Sequence, residues 1–267
     1  MGNPLCLYHQ DKDGFGAAYA IWRAHGNRPE YRAVDYGDPP PTDVQGREVW
    51  IVDFSYKADQ LDQIAQSATQ VLVIDHHASS QEELSKITAS NVEVFHDVNH
   101  SGAVLTWQRF NPRQKLPYLL ALVEDRDLYR FQLDATQPMS LLLGSYPYEF
   151  ATWDWIQNNI DTAIREAQAI QRFYDQKLDE LEQNAYTAPL VGYSIYVCNA
   201  PGQFASDLGN RLAETSKFVC VYQYDGRLWT YQLRTRDPDV DVSEIAKLYG
   251  GGGHRKAAGF RKEKLLF

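Results

Sequence analysis

The sequence predicts an α/β protein with a parallel sheet in its first part, a long connecting helix and a smaller α/β domain at its end. Two observations support this prediction. Short apolar runs alternate with helical stretches up to about residue 127, and residues 155–184 show helical spacing without glycine or proline. Strands that alternate with helices over short connections form parallel sheets covered on both faces. We place the first domain at residues 1–150, the connecting helix at 151–185 and the second domain at 186–267.

The elements of the first domain follow from its apolar pattern. The run Val71-Leu72-Val73-Ile74 is typical of a strand buried on both faces. Four strands are predicted, at residues 5–8, 48–53, 70–75 and 91–95. Helices are predicted at residues 14–25, 58–65, 101–110 and 117–125.

The alternation of strands and helices in the first domain gives way to a long helical pattern and then to a smaller domain. A continuous helix from Trp155 to Asn184 would be about 45 Å long at 1.5 Å per residue. A smaller domain then follows, with Asp225-Gly226 as a hairpin turn between two of its strands. Its predicted elements are strands at 194–198, 218–224 and 228–233 and a helix at 205–214.

Composition excludes several classes of protein. The 267 residues are 44% hydrophobic and carry a formal net charge of −9, whereas surfaces that bind long duplex DNA are usually basic. No apolar stretch approaches the ~20 residues that span a bilayer, and no signal peptide is visible, so we expect no membrane association. Three widely spaced cysteines, Cys6, Cys198 and Cys220, fit a reducing cytoplasm.

Acidic and histidine residues follow the predicted strands of the first domain. They are Asp11, Asp13, Asp53, Asp75, His76, His77, Asp125 and Asp127. The carboxyl ends of parallel strands face one side, where several carboxylates would repel each other unless divalent cations bound them. Mixed carboxylate and imidazole ligands suit Mn²⁺ or Zn²⁺ better than Ca²⁺. Each group taken alone has an ordinary alternative, such as a turn, a helix cap or a surface charge cluster, and their coincidence favours a metal site.

A glycine run near the end of the chain is a second signal. Gly250–Gly253 precedes His254, Arg255 and Lys256. Glycine lets backbone N–H groups approach an anion closely, and a helix after the run would favour phosphate at its amino end. Arg234 would add a guanidinium group for phosphate. The alternative is a flexible linker, although little chain follows for it to connect.

These motifs resemble one protein family across nearly the whole chain. The pattern is similar to the DHH phosphoesterase superfamily, in the branch with a DHH-associated C-terminal domain that includes RecJ-like exonucleases and nanoRNases. The matching residues are His9-x-Asp11-x-Asp13-Gly14, Asp53, Asp75-His76-His77, Asp125 and Gly251-Gly252-Gly253-His254-x-x-Ala257-Ala258-Gly259.

The resemblance implies a domain that binds two metal ions, usually Mn²⁺ (Mg²⁺ or another divalent ion is the alternative), and a smaller domain that holds the substrate. Asp53 and Asp125 would bridge the two ions, His77 would contact the scissile phosphate or the leaving group, and Asp75 would support an imidazole. The implied metal ligands are Asp11, Asp13, Asp53, His76, Asp125 and His9. The implied substrate-binding residues are Arg234, Gly251, Gly252, Gly253, His254 and Arg255.

Two departures from the family pattern leave choices open. Many members carry a metal-binding histidine at the position of Leu7, whereas His9 lies two residues before Asp11 here, so His9 either binds a metal or only lines the cleft. The sequence Asp125-Arg126-Asp127-Leu128 stands where other members have Asp-Thr-Gly, and we favour Asp125 over Asp127 as the ligand.

The resulting functional hypothesis is a cytoplasmic, manganese-dependent phosphodiesterase that activates water between two metals. Its expected partners are short single-stranded oligonucleotides or small nucleotide phosphoesters, and single-strand exonuclease activity and a homodimer are left open. The alternatives are a polyphosphate or pyrophosphate hydrolase of the same superfamily and a non-catalytic nucleotide-binding module.

Overall fold

Five parallel strands form the first sheet of the computed structural model, which describes residues 2–267. The strands are β1 (Leu5–His9), β2 (Glu30–Val34), β3 (Glu48–Val52), β4 (Gln70–Asp75) and β5 (Val92–His96). Their spatial order is β2-β1-β3-β4-β5, so β1, β3 and β4 are neighbours in the middle of the sheet. The predicted parallel sheet is confirmed, and β2 is an edge strand that the sequence analysis did not identify.

Helices cover both faces of this sheet. The helices that precede the second sheet in the chain are α1 (Lys12–His25), α2 (Ala58–Ser67), α3 (Gln81–Leu84), α4 (Gly102–Phe110), α5 (Tyr118–Asp127), α6 (Thr136–Ser145), α7 (Phe150–Asn158) and α8 (Ile160–Gln183). Strand side chains alternate between two buried clusters. On β4, Val71 and Val73 pack with residues of α2, whereas Leu72 and Ile74 pack with residues of α1 and α4.

The long helix is interrupted at Asn159, so the prediction of one continuous helix over residues 155–184 is wrong at this position. The Asn159 N–H donates to the Trp155 carbonyl, and the Asn159 carbonyl accepts from the N–H groups of Thr162 and Ala163. Asn159 therefore ends α7 and starts α8, which has 24 residues and is about 36 Å long.

Two compact units, Met1–Gln171 and Arg172–Phe267, divide the chain within α8. The boundaries drawn from the sequence, at residues 150 and 185, lie on either side of this helix and stay a prediction.

The second unit contains a mixed sheet of six strands. Its elements are β6 (Tyr186–Leu190), β7 (Tyr193–Asn199), α9 (Ala205–Leu212), β8 (Val219–Tyr224), β9 (Trp229–Arg234), α10 (Val242–Leu248), β10 (Gly252–His254) and β11 (Ala257–Lys262). The strand order is β10-β11-β9-β8-β7-β6, with β7 and β8 parallel and the other pairs antiparallel. This agrees with the predicted smaller α/β domain.

The glycine run forms a hairpin, not the start of a helix as the sequence suggested. Gly253 has φ +139°, and a Cβ atom there would lie 2.5 Å from the Ala258 Cα of the facing strand. The Gly251 N–H donates to the Ala246 carbonyl at the end of α10. The glycines thus allow β10 to pack closely against β11 and α10.

Among residues 2–267, no helix is both long enough and apolar enough to cross a membrane.

Candidate metal centre

The strand order brings the predicted acidic residues of the first unit together. Asp11 follows β1, Asp53 follows β3, and Asp75 ends β4, and these three strands are adjacent in the sheet. The carboxyl ends of adjacent parallel strands form a crevice where ligands bind. Three groups of potential ligands lie there, each with ligand atoms within 4.8 Å of one another: Asp53, His76 and His77; His9, Asp11 and Asp53; Asp13, His76 and Asp127.

Asp53 lies at the centre of this cluster and is almost fully buried. Its backbone is left-handed, with φ 59°, a conformation that residues other than glycine adopt rarely and mostly where the surroundings enforce it. Its Oδ1 atom lies 3.2 Å from His76 Nε2 but has no hydrogen-bond partner among the described residues. Burial raises the pKa of Asp53 to about 7. A buried carboxylate oxygen without a donor is costly, and a bound cation would compensate it.

Asp13 is held by the beginning of α4. Its Oδ2 atom accepts a hydrogen bond from the Gly102 N–H at 2.6 Å, and its Oδ1 atom accepts one from the Ala103 N–H at 3.2 Å. Burial, followed by the charge of Asp53, raises the pKa of Asp13 well above its usual range. Gly102 is required here, because a Cβ atom would lie 2.5 Å from Asp53 Oδ1.

His9 lines the cluster together with Asp11. Its Nδ1 atom lies 3.0 Å from Asp11 Oδ2 and 3.8 Å from Asp53 Oδ2. Hydrogen bonding to these two carboxylates raises the pKa of His9 to about 10. Asp11 also accepts a hydrogen bond from the Gly14 N–H, which caps α1. The structure thus places His9 among the potential ligands, and Leu7 is buried within β1.

The two adjacent histidines face different surroundings. His76 is 9% exposed and points its Nε2 atom at the carboxylates, whereas the His77 side chain is 31% exposed. Asp75 supports His77, because its Oδ1 atom lies 2.7 Å from His77 Nδ1. Burial alone would lower the pKa of His77, but the hydrogen bond to Asp75 and nearby carboxylates raise it to about 9.

The geometry favours Asp127 over Asp125 as a potential metal ligand. Both carboxylate oxygens of Asp125 are occupied by protein donors, the N–H groups of Gln132 and Leu133 and the hydroxyl of Thr136. Asp127 Oδ2 instead lies 3.5 Å from His76 Nε2, and partial burial of this 28% exposed side chain, followed by the charge of Asp13, raises the pKa of Asp127 to about 7. Both residues lie in the last turn of α5 rather than at a strand end.

Sequence reasoning missed three residues around the cluster. The Ser101 N–H donates to Glu124 Oε2, so this acid binds the start of α4 beside Asp13. The Ser101 hydroxyl caps α4, in agreement with the helix predicted over residues 101–110, but its contact with Glu124 has no local sequence signal. The exposed Tyr36 ring packs edge-on against His9 and His77, at centroid distances of 5.1 and 6.2 Å, with no local sequence signal.

The substrate-binding residues predicted in the second unit are partly brought together. The strand register aligns His254, Ala257 and Arg234 in one row across β10, β11 and β9, which places them on one face of the sheet. Arg255 donates to the Pro238 carbonyl and lies 3.7 Å from Asp241. The predicted role of these residues in substrate binding stays a prediction.

Comparisons with known proteins begin with sequence relatives. No protein-family model matches the chain. Uncharacterized protein R106 of Acanthamoeba polyphaga mimivirus is 31% identical over 286 residues, which cover 96% of this chain and 66% of the viral protein. Oligoribonuclease NrnB of Bacillus subtilis (strain 168) is 34% identical over 97 residues, which cover 35% of this chain and 23% of NrnB. The chain thus matches at most 66% of the length of either relative.

Solved structures share the fold. The pGpG-specific phosphodiesterase PggH of Vibrio cholerae has a TM-score of 0.59 at 14% identity, and the match covers 97% of this chain and 93% of PggH. RecJ of Thermus thermophilus, in complex with Mn²⁺, has a TM-score of 0.51 at 17% identity, and the match covers 96% of this chain and 49% of RecJ.

Proposed function

We propose that the chain is a member of the DHH phosphoesterase superfamily and acts as a metal-dependent phosphodiesterase that hydrolyses short oligonucleotides or small nucleotide phosphoesters. The observation that carries the proposal is the environment of Asp53. A nearly fully buried carboxylate on a strained backbone, with one oxygen that lacks a donor among the described residues, is surrounded by further acids and imidazoles.

The acids and histidines of the cluster are suitable ligands for divalent metal ions. Asp53 belongs to two of the three ligand groups and is the best candidate to bridge two ions. We propose that the metal ligands are Asp11, Asp13, Asp53, His76, Asp127 and His9, with Asp127 in place of Asp125. Carboxylate and imidazole donors together suit Mn²⁺, the ion in the RecJ complex named above. Bound there, two such ions would supply an activated water and neutralise charge on the phosphate.

The protein groups around the cluster would orient the substrate phosphate. Although burial opposes it, the hydrogen bond to Asp75 raises the pKa of His77 to about 9, which favours the positively charged ring and its N–H donor for a phosphate oxygen. Asp75 holds this ring through Nδ1, which leaves Nε2 for the substrate. The greater exposure of His77 than of His76 supports this division of roles.

A short substrate is supported by charge and by the named relatives. The net charge of −9 disfavours long nucleic acids. NrnB is named an oligoribonuclease and PggH a pGpG-specific phosphodiesterase. A cytoplasmic location stays a prediction, supported by the burial of Cys6, Cys198 and Cys220, which form no disulfide within residues 2–267. The possibility of a homodimer stays a prediction as well.

The test is a substrate panel with Mn²⁺. It contains a dinucleotide RNA, short single-stranded DNA, a cyclic dinucleotide, 3′-phosphoadenosine phosphate and polyphosphate. We expect the wild type to hydrolyse the short RNA and Asp53→Asn to lose at least about 10³-fold in kcat, since the charged carboxylate is replaced at the centre of the cluster. Asp59→Asn, a change at an exposed aspartate of α2, is the matched control.

Thermal unfolding provides an independent readout. Mn²⁺ is expected to raise the Tm of the wild type but not of Asp53→Asn, because a ligand stabilises only a protein that binds it. Hydrolysis of polyphosphate alone would favour the phosphoanhydride hydrolase. Nucleotide binding without any turnover would favour the non-catalytic module. Full activity of Asp53→Asn would contradict the metal centre itself.

A further inference from the structure

The segment just after α5 carries two strained aromatic residues. Tyr129 and Phe131 both have left-handed backbones, with φ of 54° and 50°. Bulky L-residues rarely adopt this conformation, and it persists where the surrounding structure enforces it, often at functional sites. Asp53 at the metal centre shares this feature, with φ 59°.

Asp125 enforces the conformation of this segment. Its carbonyl accepts hydrogen bonds from the N–H groups of Arg130 and Phe131, and its carboxylate binds the backbone just beyond them at Gln132 and Leu133. An acid that the sequence suggested as a metal ligand therefore organises a loop.

A second set of contacts connects the same loop to the start of α4. The Arg130 guanidinium donates to Glu124 Oε1 and to the Asn99 carbonyl. Glu124 in turn accepts from the Ser101 N–H, next to the Gly102 N–H that binds the ligand candidate Asp13. Hydrogen bonds thus connect both the loop that carries Tyr129 and Phe131 and the ligand candidate Asp13 to the start of α4.

The loop presents an aromatic surface to solvent. Tyr129 is 53% exposed and Phe131 is 39% exposed. Their rings meet edge-to-face, with centroids 4.7 Å apart and planes at 89°. The Arg126 guanidinium carbon lies 5.5 Å from the Tyr129 centroid and 5.0 Å from the Phe131 centroid. Exposed aromatic rings beside an arginine are the groups on which unpaired nucleobases stack.

The position of this surface suits a substrate whose phosphate lies at the metals. Tyr129 is two residues beyond Asp127, and the Asp127 carboxylate lies 3.5 Å from His76 Nε2. The rings therefore follow the ligand candidate Asp127 closely along the chain, as a site for a base linked to a phosphate at the cluster requires.

We propose that Tyr129, Phe131 and Arg126 form a stacking platform, which receives a nucleobase of the substrate beside the metal centre. The platform rests on the proposed phosphodiesterase function and narrows it, because a nucleobase distinguishes nucleotides from polyphosphate. Asp125 is a positioning residue for the platform.

The test measures base stacking directly. The probe is 2-aminopurine riboside 5′-monophosphate, whose fluorescence falls when its base stacks, titrated into the wild type with Mn²⁺. We expect Tyr129→Ala and Phe131→Ala each to weaken binding about 10-fold, or ~1.4 kcal/mol. Tyr129→Phe keeps the ring and is expected to retain binding and quenching. Phe173→Ala removes an exposed ring beside Lys177 on α8 and is the matched control.

Two further measurements distinguish the effect of losing the Tyr129 ring from the effect of a changed backbone. Tyr129→Gly relieves the backbone strain and removes the ring, so the platform requires it to bind as weakly as Tyr129→Ala. Normal binding by the glycine variant would overturn the proposal, since the loss in Tyr129→Ala would then come from the backbone. In kinetics, Tyr129→Ala is expected to raise the KM of a dinucleotide RNA about 10-fold more than the KM of its abasic analogue.

The experiments distinguish an error in the stacking platform from an error in the proposed phosphodiesterase function. If the dinucleotide is hydrolysed while the alanine variants bind the probe like the wild type, the platform is wrong and the phosphodiesterase stands. If the probe is quenched in a Tyr129-dependent way but no phosphodiester is cleaved, the base site stands and the phosphodiesterase is wrong.

Discussion

Gly102→Ala tests whether the position of Asp53 depends on the close approach of α4. A Cβ atom at residue 102 would lie 2.5 Å from Asp53 Oδ1, about 0.9 Å closer than the 3.4 Å at which ordinary contact begins. It would also lie 2.8 Å from the Asp53 Cα, so rotation of the side chain alone does not relieve the overlap. Overpacking of this kind costs about 1–3 kcal/mol in folding free energy, and a displacement of ~1 Å at a reacting centre lowers kcat about 10²-fold.

The assay combines Mn²⁺-dependent hydrolysis of a dinucleotide RNA, calorimetric Mn²⁺ binding and thermal unfolding. Gly144→Ala in α6 is the matched control, because its Cβ would meet only Lys12, at an ordinary 3.7 Å. We expect it to keep wild-type activity and to gain up to about 1 kcal/mol from helix propensity. A folded Gly102→Ala protein with wild-type kcat and Mn²⁺ affinity would refute the argument that Gly102 sets the position of Asp53.

Two further predictions concern paired residues. Asp127→Asn is expected to lower Mn²⁺ affinity and kcat at least about 10²-fold with little change in Tm. Asp125→Asn weakens three hydrogen bonds and is expected to lower the unfolding free energy by about 2–4 kcal/mol. The reverse pattern in the same assays would favour Asp125 as the ligand. The pKa of about 9 at His77 is raised from 6.5 by Asp75 against the opposing effect of burial. The stability from this pair is therefore full below pH 6.5 and is lost as the pH rises through about 9. NMR titration of the His77 ring should show its pKa fall in Asp75→Asn, and an unchanged value would contradict the pairing.

The sheet and most of its acidic residues could be predicted because the signals are local. The apolar run of β4 is followed at once by Asp75-His76-His77, and strand alternation with helices implies that parallel strands end on one side. The same reasoning placed Asp11 and Asp53 correctly at the ends of β1 and β3.

The remaining features depend on contacts between distant residues. Asp125 and Asp127 stand in the same helical turn, and only the loop that returns to Asp125 through Gln132 and Leu133 separates their roles. The contact of Gly102 with Asp13 spans 89 residues and has no local signature. The glycine run pairs with β11 rather than starting a helix, because the facing strand and α10 hold it.

The burial of β4 on both faces has a consequence for how its alignment is specified. In a strand with one solvent-exposed face, a shift by one residue would move apolar side chains into solvent, and the free-energy cost of this exposure selects the correct strand pairing. On β4 such a shift would only exchange Val71 and Val73 for Leu72 and Ile74, since both clusters are apolar. The polar ends resist the shift instead, because moving the strand by about 3.3 Å would draw Gln70 or Asp75 between apolar layers. Asp75, which holds the His77 ring beside the proposed metals, therefore also helps to determine the alignment of β4.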